Sequence, residues 1–146
     1  MIINIRSENV YNYLAGITDI TDLCELFSTR PDQSAVPSGS YAFTNIVTDL
    51  PWWSYSNQGY LLKTARVSVH IVCKKSLWAT DTPERVLGAI ISAITNNLVS
   101  CWQSMVIDWV ICSSIVEDVV SPIFLEDNRP YIVKDYLINY SSISDV

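Results

Sequence analysis

The stretch Leu61–Lys75 constrains this chain most. Within it Ala65, Val67, Val69, Ile71 and Cys73 alternate with Thr64, Arg66, Ser68 and His70. Successive side chains of a strand point to opposite faces, so this pattern predicts a strand with one face on a core. Fifteen residues at ~3.3 Å each extend ~50 Å. A domain of this size has a radius of gyration of only about 15 Å. A straight strand of that length therefore bends, or the hairpin it belongs to projects beyond the subunit. Projection is the expectation, because the segment just before it carries Trp52, Trp53 and Tyr55.

The second firm element is a helix. Asp81 or Thr82 offers a cap, Pro83 suits the first turn, and Glu84 favours the positive end of the helix dipole. Val86, Leu87, Ile90, Ile91, Ile94 and Leu98 then form one apolar stripe, with Arg85, Ser92 and Asn96 opposite. Earlier in the chain, Ser7 reads as the N-cap of a helix that carries Val10, Tyr13, Leu14 and Ile17 and ends at Gly16. Asp22 and Glu25 have capping-box spacing, which predicts a short helical turn over Leu23–Phe27. Ser28–Ser40 is rich in Pro, Gly and Ser and reads as a loop.

Tyr41–Val47 reads as a strand and Thr48–Gly59 as a connection. Val106–Glu117 and Tyr131–Tyr140 are two further strands, separated by a loop at Val119–Arg129. In the last strand Ile132, Tyr136 and Ile138 alternate with Val133, Asp135 and Leu137. The order is helix, two strands, helix, two strands. That predicts a single α+β domain over residues 1–146, with an antiparallel sheet of about four main strands, helices on one face, and a loose tail at 141–146.

Apolar residues make up 49% of the chain and charged residues 16%, against roughly 25% in average domains. A membrane span or surface hidden against other subunits would account for this. The longest apolar stretches, Val86–Val99 and Met105–Val116, are broken by Asn96-Asn97 and by Asp108. Neither reaches the ~18 consecutive apolar residues of a span. Arg6 and Glu8 interrupt the start, so no secretory leader is expected. Subunit burial is the better explanation.

The net charge of −6 and the lack of a Lys/Arg cluster argue against holding nucleic acid, which depends on basic side chains displacing counterions. Cys24, Cys73, Cys101 and Cys112 form no C-x-x-C pair and stand apart from the single His70. They read as small buried hydrophobes, with no metal site. His70 and Cys73, three apart on a strand, face opposite sides, and His70 reads as half-buried beside Ser68. With four glycines and no Gly-rich phosphate motif, nucleotide chemistry has no framework and no cofactor is expected.

Two groups of side chains remain. Glu117, Asp118, Glu126 and Asp127 flank one loop. Solvated surface is their ordinary reading, and convergence on a hard cation or an acid/base pair is the chemical alternative. Trp52, Trp53, Tyr55 and Tyr60 suit protein–protein anchoring, burial in the core, or stacking on sugars.

The element order and several strings resemble tail terminator (tail completion) proteins of long-tailed bacteriophages. The similar strings are Lys63-Thr64-Ala65-Arg66-Val67-Ser68-Val69-His70-Ile71, the helix from Thr82-Pro83-Glu84-Arg85-Val86 to Leu98, and Tyr131-Ile132-Val133-Lys134-Asp135-Tyr136-Leu137. The likeness spans about Ser7–Tyr140, and Trp52-Trp53 with the Thr48–Gly59 segment departs from it. It implies a non-enzymatic virion protein of the tail or neck, assembled in the host cytoplasm. Such a protein forms a homo-hexameric ring that caps the tail tube, ends its polymerisation and presents a surface to the head–tail connector.

DNA would slide through that ring without binding, helped by acidic charge. The aromatic residues named above are the expected oligomer contacts, and the four acids would face the lumen or a partner. A neck or connector ring protein is the first alternative. A sugar- or peptide-binding module using the Trp52/Trp53 segment is the second, and an enzyme using the acids ranks last.

Overall fold

A computed structural model describes residues 5–55, 60–75, 82–107 and 110–143. Side chains are described at all of these except 47–55, 60–62 and 142–143. The elements are α1 (Ser7–Ala15), α2 (Thr18–Thr21), β1 (Glu25–Phe27), β2 (Tyr41–Tyr55), β3 (Tyr60–Val72), α3 (Pro83–Thr95), β4 (Val110–Val120), β5 (Phe124–Glu126) and β6 (Arg129–Ile143). The strands form one six-stranded sheet in the order β1-β2-β3-β6-β4, with β5 also paired to β6. Every pairing is antiparallel except β1 with β2. This is the expected α+β class: four long strands, plus two strands of three residues each.

The alternation in β3 sets the two layers. Ala65, Val67, Val69 and Ile71 are fully buried. They pack with Ala42, Ile115, Ile132, Tyr136, Ile138 and Tyr140 against Val10 and Leu14 of α1, Ile20 of α2, and Leu87, Ile90 and Ile94 of α3. The helices therefore cover one face of the sheet. After α3 the chain widens into a π-helical turn, Asn96–Ser100. The Tyr13 hydroxyl donates to the carbonyls of Asn97 (2.8 Å) and Cys101 (3.1 Å) at this helix end, the second of which also accepts from the Ser104 N–H (3.0 Å).

Of the two outcomes open to so long a hairpin, the bend is visible, in β2. β2 has register shifts between Ile46 and Thr48 and between Leu50 and Ser54. Such bulges bend a strand. β3 pairs with β6 from Tyr60↔Ile143 to Val72↔Tyr131 without a break. Lys63 of β3 is buried, opposite buried Tyr140 of β6. The β2–β3 hairpin continues past it to Tyr55↔Leu61, and β6 accompanies it.

Several boundaries differ from the sequence reading. Ser7 is the first helical residue and Arg6 the cap. Ser7 serves the sheet instead: its hydroxyl accepts from the Ile46 N–H (3.1 Å) and its carbonyl accepts from the Thr44 hydroxyl (3.2 Å). The helical turn expected over Leu23–Phe27 is displaced to α2, and Glu25–Phe27 is a strand. Backbone pairing with Tyr41–Phe43 and the edge-on packing of Phe27 on Tyr41 (6.0 Å) outweigh the local capping pattern.

The expected connection at Thr48–Gly59 is strand as far as Tyr55, and residues 56–59 lie outside the described residues. The strand expected at Val106–Glu117 begins at Val110 and runs to Val120, and Asp108 and Trp109 lie outside the described residues. The loop expected at Val119–Arg129 contains β5 and a turn at Asp127-Asn128 (φ 51° and 62°). Positive φ at both central residues is the mark of a tight hairpin turn. The tail is strand to Ile143, with 144–146 outside the described residues.

Candidate functional site

The helix-free face of the sheet is built from the residues that alternate with the core. Strict pairing of β3 with β6 sets Arg66 beside Leu137, Ser68 beside Asp135, and His70 beside Val133. Polar side chains bridge the strands in rows. Ser114 accepts from the Asn139 amide (2.9 Å), whose carbonyl oxygen accepts from the Thr64 hydroxyl (2.7 Å). The Ser68 hydroxyl donates to Asp135 (2.6 Å). His70 stacks on Phe43 (4.5 Å) and its Nδ1 meets the Tyr131 hydroxyl. Burial, then the nearby Arg30 charge, pushes the His70 pKa below its ordinary value. Burial pushes Tyr131 up to about 12.

At the β1 end of this face, Tyr41, Phe43, Val72 and Tyr131 form a second small core, packed by Phe27, Val36 and Val133. Arg129 fastens the Ser28–Ser40 segment over it. Its Nε donates to the Cys73 carbonyl (2.7 Å), Nη1 to Pro37 (2.9 Å) and Nη2 to Gly39 (2.7 Å). Arg30 and Glu126 form a second clasp between the same segment and β5. Between segment and hairpin lies a cavity of about 450 Å³, lined by Arg30, Tyr41, Lys75, Glu126, Asp127 and Arg129 among others.

The four acids singled out in the sequence do not converge. Glu117 pairs with the buried Lys134 (3.1 Å), whose ammonium lies 5.8 Å from the Tyr136 ring centroid on the helix-covered side. Asp118 pairs across the open face with Arg66 (3.2 Å). That contact is Coulombic rather than well directed, since Asp118 Oδ2 and Arg66 Nε make no hydrogen bond. Glu126 takes Arg30, and Asp127 stands exposed in the hairpin turn. Among the described residues no three of His, Cys, Asp and Glu gather as a metal site. Cys24 and Cys73 lie in the main core, where burial pushes both thiols up to about 11, while His70 lies on the other face.

Trp52, Trp53 and Tyr55 stand in β2 and Tyr60 opens β3, so the hairpin's strands carry them; their side chains lie outside the described residues. The sequence reading missed a second surface. β4, Ser121–Ile123 and β5 run on as one continuous margin beside β6, joined by the Ser121 N–H to the Val133 carbonyl (2.9 Å). Along it Ile111, Val116, Val119, Val120, Phe124 and Leu125 are exposed, Val119 and Leu125 at 63% each. The signal was the string Val119-Val120-Ser121-Pro122-Ile123-Phe124-Leu125, apolar but without a period, set among turn residues.

No protein-family model matches the chain, and no curated protein aligns with it significantly.

Proposed function

We propose that this chain is a virion structural protein, a tail terminator whose copies close into a ring on the end of a phage tail tube. The observation that carries this reading is the exposed apolar margin from Ile111 to Leu125 on a sheet that helices cover on one face only. Exposed apolar side chains in a contiguous run mark association surfaces. They also supply a place for the excess apolar content, and no described helix is long and apolar enough to cross a membrane.

A ring needs heterologous contacts, one patch meeting a different patch on the next copy. The Ile111–Leu125 margin and the Trp-bearing β2–β3 hairpin are two such patches, on strands separated by β6 in the sheet order. The tube end and the head–tail connector meet the ring's two rims. The net charge of −6 suits a channel through which DNA slides by repulsion.

Mixing the purified protein with isolated tail tubes tests this reading. A terminator caps tube ends, halts further polymerisation and permits head joining. Association with tail-less heads alone assigns the chain to the neck connector instead. Absence of association with either structure removes the proposal.

A further inference from the structure

Arg129 is a buried cation that touches no carboxylate among the described residues. It is 5% exposed, and its three hydrogen bonds go to backbone carbonyls. The guanidinium lies 5.0 Å from the Tyr41 ring centroid, and no ion pair joins it to a carboxylate among the described residues. Carbonyl dipoles and a ring face offset part of the desolvation, but none carries a full negative charge. A guanidinium has five N–H groups, so two remain beyond those three bonds.

The cavity beside Arg129 gathers Arg30 and Lys75 as well. These are three of the nine cations in a chain of net charge −6. Of the two acids at its wall, Glu126 is held by Arg30, while Asp127 acts on Arg129 through space from an exposed turn. Lys75 is exposed, with its backbone N–H fixed to the Ser38 carbonyl (2.9 Å) and its ammonium in no described ion pair.

We propose that this cavity is a carboxylate-binding site, with Arg129 and Lys75 gripping the two oxygens. Planar N–H pairs match a carboxylate, and a point charge at the mouth completes the grip. Arg30 exchanges Glu126 for the incoming group or holds both. Two sources supply this chemistry: a free small carboxylate, or an Asp or Glu side chain of a second copy. The site does not rest on the ring reading, and a monomer is able to show it.

Citrate is the probe. Calorimetric titration of the full chain at fixed ionic strength is expected to give saturable binding, weakened about five-fold by Lys75→Ala, in the range of one partly exposed charge pair. Lys75→Ala leaves the backbone bond to Ser38 and the Arg129 clasp in place, so the fold persists. The mass distribution is measured alongside. If citrate and Lys75→Ala both shift assemblies to smaller species, the natural occupant is an acid of a second copy. If citrate binds and mass is unchanged, it is a free carboxylate. No saturable binding up to about 10 mM, a level at which even weak sites fill, with mass indifferent to citrate, overturns the proposal. Binding undiminished by Lys75→Ala overturns it as well.

Discussion

Arg129 shows how one side chain organises a region that the sequence presents as loop. Its bonds reach Pro37, Gly39 and Cys73, far away along the chain, and nothing about an Arg in a loop announces such a role. Arg129→Ala leaves three carbonyls without their donor and a cavity beside Tyr41. It is expected to cost about 3 kcal/mol, in the range for a buried hydrogen-bonded charge, read by urea denaturation. Cleavage within Ser28–Ser40 under limited proteolysis should rise with it.

His70 sets a pH dependence. Its pKa is lowered in the fold, so the unfolded chain, with an ordinary His near 6.5, binds the proton more tightly. This contribution to stability is complete above the unfolded value and is lost as pH falls through the lowered one. Arg30 strengthens the effect, whereas Asp135 and Glu126 oppose it. Denaturation midpoints should fall between pH 7 and pH 5, and His70→Phe should flatten that part of the slope. An unchanged slope in the variant would mean that carboxylates alone set it.

At the scale of elements, strong periodicity was legible and tertiary pairing was not. The alternation of Ala65, Val67, Val69 and Ile71, that of Ile132, Tyr136 and Ile138, and the stripe Leu87, Ile90, Ile94 and Leu98 all lie in the core as the sequence implies. β1 and β5 are three residues long and exist because β2 and β6 offer edges to pair with. No three-residue window carries that information. β2 runs through Pro51, Trp52 and Trp53, a string that reads as a connection, because pairing with β3 holds the strand on either side of it, at Leu50↔Thr64 and Ser54↔Leu62.

The end of α3 depends on a distant side chain in the same way. Tyr13→Phe removes the donor to the Asn97 and Cys101 carbonyls and should cost about 1–2 kcal/mol, leaving the thermal transition cooperative. Trp52→Ala with Trp53→Ala tests the hairpin. Weaker association with an intact circular dichroism spectrum places these residues at an interface, and loss of the spectrum places them in the core.

For the whole molecule, the fold class was readable from the order of periodic segments, but the exposed apolar margin was not. Val119, Ile123 and Leu125 have no regular spacing, and their exposure follows only from the position of β4 and β5 at the sheet margin. The four acids looked like one group in sequence, yet the sheet distributes them between two faces and a hairpin turn. The measurement that bears most directly on the ring is sedimentation velocity at micromolar concentration, with and without tail tubes, on the native chain and on Val119→Asp with Leu125→Asp. The expected result is a closed oligomer many times the 16.5 kDa subunit mass, reduced to folded monomer by the double substitution. A native chain that stays monomeric in both conditions, or an oligomer that the two aspartates leave intact, contradicts it.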